Sequence, residues 1–326
     1  MVVRDCLLWV RKGYVLGQLL VSYAFSSLLK RTFNPQAPFS VSIEPINQCN
    51  LHCPECPTGN GSLVRAKKLI EWSLYQKIVD ELAPALSNLI LYFQGEPLLY
   101  PQILEMLRYA HQKRIYTMTS TNGQLITNEM ARDFVSSGLD RIIVSMDGVT
   151  QDVYEQYRRG GSLQKVIDAI VALSSWKSTL KRSTPHIETQ FIVMRHNEHQ
   201  VAAFRNMAKN IGADSTRLKT AQIDWPNIEK WIPLQSKFAR YRKNKKGEWE
   251  MKHRLKNRCW RQWSSAVIAS NGDVLPCCFD KNGEHAFGNL KQASFHEIWH
   301  GDKATAFRKA ISHDRSQFEM CRNCTS

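Results

Sequence analysis

The chain has no uninterrupted apolar run of the length a membrane-spanning helix needs, which is about 20 residues. Its longest approach, Gly13 to Leu29 (GYVLGQLLVSYAFSSLL), is 17 residues without a charge, diluted by Gln18, Ser22, Ser26 and Ser27 and flanked by Arg11, Lys12, Lys30 and Arg31. The segment is expected to form a helix packed on the main domain or lying on a membrane surface, as peripheral membrane contact, and not a span. Low-complexity tracts and repeats at solenoid period are also missing, which excludes disorder and repeat architectures. No cleavable signal with a small-residue site precedes the first cysteine cluster, so a disulfide framework is disfavoured and a cytoplasmic, possibly membrane-associated location is expected. Acidic residues are scarce: 29 Asp and Glu face 44 Lys and Arg, for a net charge of +15 over 326 residues. Such a balance suggests an anionic partner or plain solubility.

What is present is an alternation of short apolar runs with longer amphipathic ones from Phe39 onward. VSIEPI (Val41 to Ile46), NLILYF (Asn88 to Phe93), IYTMTS (Ile115 to Ser120), RIIVSM (Arg141 to Met146), HIETQFIVM (His186 to Met194) and DSTRLKT (Asp214 to Thr220) read as strands. Helical patterns lie between them, so the fold class is α/β, a partial six-stranded (β/α) barrel of TIM-like form. In such sheets reacting groups gather on the loops after the strands. Four parts are expected: an apolar and basic helical segment over 1–38, the barrel over 39–222, a basic linker over 223–258, solvated from Arg240 to Arg258, and a small cysteine-rich unit over 259–326. The linker carries RYRKNKKGEWEMKHRLKNR from Arg240 to Arg258, nine cations against two Glu. The last unit is too short for a sizeable core and needs a metal centre or the barrel to stabilise it.

The nine cysteines fall in two groups, with Cys6 alone and read as a small buried hydrophobe. CNLHCPEC places Cys49, Cys53 and Cys56 at C-x3-C-x2-C in the loop after the first strand. Three thiolates can hold three corners of a four-iron cubane. A cluster used only for electron transfer has four, so a three-cysteine set leaves one iron open. A zinc site needs a fourth ligand, for which His52 is near enough in sequence. The second group is Cys259, Cys277, Cys278, Cys321 and Cys324, with ASNGDVLPCC (Ala269 to Cys278) reading as a hairpin about an Asn-Gly turn. His111, His186, His196 and His199 are unclustered and read as ordinary surface or core groups.

CNLHCPEC followed by QGEP (Gln94 to Pro97), STNG (Ser120 to Gly123) and VSMDG (Val144 to Gly148) resembles the radical S-adenosylmethionine (SAM) superfamily. The resemblance implies that Cys49, Cys53 and Cys56 hold a [4Fe-4S] cluster whose open iron takes the amino and carboxylate groups of SAM. It implies cofactor-binding positions at Gly95 and Glu96, near the methionine amine, at Ser145 and Arg158 or Arg159, near the ribose and carboxylate, and at Asn122 and Asp147 on the same rim. Bland readings stand beside these: Gly95 shaping a turn, Asp147 capping a helix, Arg158 as a surface cation. Two positions depart from the family pattern. Glu55 stands where an aromatic residue lies near the adenine, and Gln94 replaces a glycine.

The second cysteine group resembles a SPASM-type extension. The full pattern has seven cysteines and two auxiliary clusters; with five here, one auxiliary [4Fe-4S] cluster on Cys259, Cys277, Cys321 and Cys324 is implied, with Cys278 as neighbour or substitute. A zinc knuckle on the same four thiolates is the alternative. The implied enzyme cleaves SAM reductively, with a flavodoxin- or ferredoxin-type electron donor, and abstracts a hydrogen from a substrate. A small molecule is favoured over peptide maturation, because 38 residues before the barrel are too few for a leader-binding domain. A zinc-stabilised nucleic-acid-binding protein would explain the charge, but not the first cluster ahead of QGEP and VSMDG, so nucleic acid is an unlikely partner.

Overall fold

A computed structural model of the chain describes residues 2–29, 31–253 and 255–324, with the side chains of residues 2–9 left out; the reading of Cys6 therefore lies outside the described residues. Six strands, β1 Ser40–Ile43, β2 Asn88–Ile90, β3 Tyr116–Thr121, β4 Arg141–Ser145, β5 His186–Val193 and β6 Ser215–Thr220, pair in parallel in sequence order. Helices Trp72–Leu82, Ile103–Gln112, Asn128–Ser136, Leu163–Thr179 and Val201–Asn210 lie in the crossovers. The architecture is thus the α/β partial barrel that the sequence pattern predicts. β1 and β2 stop short of the apolar runs that mark them, because the chain leaves the ladder there to begin the loops of the site.

One face of each strand packs on the helices. Ile43, Leu91, Val144, Phe191 and Leu218 belong to or pack against one core, and the Phe191 and Phe204 rings sit 4.7 Å apart. Burying each such side chain is worth about 1.5–3 kcal/mol. The opposite face of the sheet lines the barrel interior.

After β6 the chain forms an antiparallel hairpin, β7 Tyr241–Lys243 with β8 Trp249–Met251. From Arg242 to Arg258 the described residues are exposed or half-buried, whereas Ile223, Ile228, Trp231, Ile232 and Tyr241 are buried in a second core with Leu51, Cys53, Tyr157 and Met194. The connector's cations stay outside, as at Lys245 and Lys246 in the hairpin turn, together with Trp225 and Leu234. The reason is composition, since the apolar residues of the connector fall before the basic run and have the cluster loop to pack on.

β9 Ser265–Ile268 then pairs in parallel with β1, Ser40 opposite Ser265, and β10 Asp273–Leu275 and β11 Gly288–Asn289 continue the sheet antiparallel. The order across all nine strands is β11-β10-β9-β1-β2-β3-β4-β5-β6. The Asn271-Gly272 turn is where the sequence puts it, with Gly272 at φ +96°. The cysteine-rich unit therefore draws on the barrel itself for support.

The N-terminal helix, Val2–Leu29, buries Val15, Leu19 and Ser26 and sets Tyr23 edge-on to Trp260 and Trp263. Its other side leaves Tyr14, Val21, Phe25 and Leu28 exposed. Among the described residues no helix is long and apolar enough to cross a membrane.

Candidate active site

The loop after β1 carries Cys49, Cys53 and Cys56, with Cys53 buried and the other two half-buried. Its turns are held closely: the Leu51 amide donates to Cys49 Sγ (3.4 Å), the Cys56 amide donates to the Cys53 carbonyl (3.2 Å), and a Cβ on Gly59 would stand 2.6 Å from Cys53 N. Burial pushes the Cys53 thiol up to about 11, with Arg158 pulling the other way, and raises Cys49 as well. These sulfurs are poor thiolates by themselves; a metal centre that takes the place of the proton removes that penalty. Among the described residues no three His, Cys, Asp or Glu side chains converge on one point, as a single tetrahedral ion requires.

The other rim residues close around this loop. Gly95 has φ +80°, and a Cβ there would lie 2.5 Å from the Ile46 carbonyl and 2.6 Å from that of Gln48, so no larger residue fits. The Glu96 amide donates to the Gln48 carbonyl (2.7 Å). The Glu96 carboxylate is buried, and accepts from the amides of Asn122 (2.8 Å) and Leu98 (3.2 Å). Burial raises its pKa against those bonds, which suits it to an added cation such as an ammonium. Asn122 Nδ2 donates to Asn50 Oδ1 (2.8 Å) and lies 3.7 Å from Cys49 Sγ. Ser145 ends β4 opposite Gln190 of β5.

Arg158 and Asp147 form one unit. Arg158 Nε donates to Asp147 Oδ2 at 2.6 Å while its Nη1 reaches within 3.9 Å of Cys53 Sγ. The other oxygen of the fully buried Asp147 accepts from the Ile192 amide at 2.6 Å. Both carboxylate oxygens are thus engaged, and Asp147 meets the cluster loop through Arg158. Of the two arginines in YRRGG it is Arg158 that faces the cysteines; Arg159 contributes its carbonyl to the His52 amide. Glu55 accepts from the Asp224 amide through Oε2 (2.9 Å), and its buried Oε1 has no hydrogen-bond partner among the described residues.

In the C-terminal unit Cys259, Cys277, Cys321 and Cys324 are buried, whereas Cys278 is exposed, 3.3 Å from Arg261 Nη1. Cys277 Sγ accepts from the Phe279 amide (3.4 Å), and its thiol is pushed well up by burial and by Cys278, with Cys259 and Cys321 also in electrostatic range. The buried Arg315 donates to Cys324 Sγ at 3.1 Å and lies beside Cys259 and Cys321. Sequence reasoning missed it, because HDRSQ has no feature that separates a cluster counter-charge from a surface cation. Arg315→Gln is expected to move the midpoint potential of the auxiliary cluster to more negative values, with Arg315→Lys in between. An unshifted potential in an anaerobic redox titration would show the arginine to be structural only.

A second pair was also not legible. Glu44, one residue past β1 and fully buried, takes a bidentate bond from Arg65 (2.6 and 2.7 Å) and accepts from the amides of Gln94 (3.2 Å) and Ser270 (3.0 Å). Arg65 Nε in turn donates to the Lys281 carbonyl (2.7 Å). These bonds join the cluster loop, the QGEP loop and the C-terminal hairpin.

Comparison with known proteins agrees with this geometry. The profile of the radical SAM superfamily matches residues 43–178, and that of the SPASM iron-sulfur cluster-binding domain matches residues 259–325. The chain is 23% identical over 308 residues to the AdoMet-dependent heme synthase of Methanosarcina barkeri, covering 84% of each. It is 26% identical to the PqqA peptide cyclase of Ruegeria pomeroyi, over 88% of this chain and 80% of that one. In fold it resembles Streptococcus suis SuiB bound to precursor peptide SuiA, with TM-score 0.63 and 14% identity over 84% of this chain and 67% of that one.

Proposed function

This chain belongs to the radical SAM superfamily and carries a SPASM iron-sulfur domain, and from that premise we propose that it removes a hydrogen atom from a peptide substrate. The observation that carries the chemistry is the three-cysteine loop flanked by Arg158, Asn122 and Glu96. When bound, the cluster would pass one electron from an external reductant to the sulfonium of SAM, whose S–C5′ bond would break to give methionine and a 5′-deoxyadenosyl radical that takes the hydrogen and leaves as 5′-deoxyadenosine.

Cys49, Cys53 and Cys56 would hold three irons and leave the fourth to the cofactor. Arg158, fixed by Asp147, suits the methionine carboxylate, and Glu96 suits its ammonium. The free oxygen of Glu55 suits an N–H donor such as the adenine amine, in place of the aromatic contact usual in the family. Cys259, Cys277, Cys321 and Cys324 would close an auxiliary cluster whose charge Arg315 offsets. Electron supply by a flavodoxin- or ferredoxin-type donor, and contact of the exposed stripe on the N-terminal helix with a membrane surface, belong to the same reading.

The sequence alone favours a small molecule, but the relatives named for peptide cyclisation and the neighbour holding a precursor peptide support a peptide better. A small molecule is the second reading, favoured by the similarity to the heme synthase. Anaerobically reconstituted protein is expected to bind about eight irons and to release 5′-deoxyadenosine under reductant; absence of both would sink the proposal. Deuterium from a labelled peptide should appear in the 5′-deoxyadenosine, and transfer only from a small molecule would select the second reading.

A further inference from the structure

Strands of a parallel sheet covered on both faces normally read as continuous apolar runs. β5 does not, and beside it β4 opens on Arg141 and the edge strand β6 carries Arg217 and Lys219. Phe191 and Leu218 pair across the helix-facing side, and by the same register Gln190 and Arg217, then Ile192 and Lys219, share the interior face. Arg141 and Glu188 occupy that face one level lower, as their side chains form an ion pair across β4 and β5. The C-terminal unit adds Arg261, which lies in electrostatic range of Lys219, as Arg141 and Arg217 also do.

The charges in this space do not balance. Glu188 serves both Arg141 and Arg217, the latter at 3.3 Å. Arg141 Nε is buried without a hydrogen-bond partner among the described residues. Lys219 makes no hydrogen bond or ion pair among the described residues, and burial, then the repulsion of Arg217, hold its pKa below the ordinary lysine value. Among the described residues the Arg261 side chain donates to the Cys278 sulfur, with Cys324, Cys277 and Cys259 in electrostatic range, and Tyr92 stands among the same groups. Glu188 is buried while Arg217, Lys219 and Arg261 are open to solvent, so four cations around one carboxylate repel one another at a surface that a bound anion can reach.

We propose that the barrel interior is an anion subsite, in which Arg217, Lys219 and Arg261, with Arg141 behind them, grip a carboxylate or phosphate of the substrate. Lys219 lies near the end of β6, on the same interior face as Ser145 at the end of β4. An anion held there would anchor the substrate beneath the rim that carries Cys49, Cys53 and Cys56. Guanidinium groups favour planar, bidentate acceptors, so a carboxylate is the better fit. The assignment of the occupant as substrate rests on the radical SAM reading; the binding of an anion does not.

The test uses the full chain reconstituted with its clusters and saturated with SAM, so that the cofactor position is filled. Glutarate, inorganic phosphate and the tripeptide Gly-Glu-Gly are titrated by calorimetry against Gly-Gln-Gly, both peptides acetylated and amidated at their ends so that the glutamate side chain is the one charge between them. At least one of the three anions is expected to bind, and Arg217→Gln/Lys219→Gln to weaken it by about tenfold or more. Lys219→Arg, which keeps the charge, should bind within about twofold of the parent, and Arg242→Gln, on the exposed hairpin, should do the same. A preference for the peptide over glutarate and phosphate assigns the anion to an acidic side chain; the reverse assigns it to a free acid. No binding of any anion at millimolar concentration, equal binding by the double variant, or equal binding of Gly-Gln-Gly overturns the subsite. Release of 5′-deoxyadenosine by the parent protein is measured separately, so failure of the subsite and failure of the radical chemistry are told apart.

Discussion

Replacing Cys49, Cys53 and Cys56 by Ala is expected to abolish formation of 5′-deoxyadenosine, while replacing Cys321 and Cys324 spares part of it. The asymmetry follows from place. The loop of the first three thiols is met by Arg158, which lies near Cys53, and by Asn122, which lies near Cys49. The last two are built around Arg315 in a unit reached through β9 and β10. Loss of the first set removes the electron's route to the cofactor. Loss of the second removes a relay or support. Chromatographic quantification of 5′-deoxyadenosine under dithionite checks both. Full activity without the first three cysteines, or complete loss with only the last two removed, contradicts the division of labour.

Glu44→Gln is expected to destabilise the fold by about 3–5 kcal/mol, the usual result of leaving one member of a buried ion pair without its partner. The side chains of Glu44 and Arg65 are 0% and 8% exposed, so solvent does little to screen the arginine left behind. The damage should extend to both metal-binding regions, because Glu44 also receives the amides of Gln94 and Ser270. Chemical denaturation followed by circular dichroism measures the loss. Glu44→Gln combined with Arg65→Met should recover much of it, because the uncompensated charge is gone. A single variant as stable as the parent would show that the pair contributes nothing net.

The sheet and most of the rim were legible in the sequence because both rest on local signals. The apolar runs mark β1 to β6, and the Gly95, Asn122 and Asp147 motifs each follow a strand, so a parallel sheet carries them to one end. Arg158 was legible only as one of two adjacent arginines, since nothing in YRRGG says which side chain turns toward Asp147. Glu44 and Arg65 were not legible, because their meaning lies in a contact between a strand end and a loop. The interior charges left a trace that went unread in HIETQFIV, which sets polar residues at alternate positions where a doubly covered parallel strand would be apolar throughout, whereas STRLKT, at the edge of the sheet, is polar because it is exposed. In the connector the basic run hid Ile228, Trp231 and Ile232, whose burial depends on the cluster loop lying opposite.

The pairing of Ser40 with Ser265 also bears on the order in which the molecule can be made. During synthesis β1 emerges early and finds β2 on one side within the next stretch of chain, but its other edge stays bare until nearly the whole polypeptide has been translated. Such an edge offers its amides and carbonyls to any passing strand, and non-local pairing is slow to form. Nascent or truncated chains lacking the last unit would therefore be prone to aggregate, and a chaperone that masks this edge would raise the yield of soluble protein more than added iron or sulfide would.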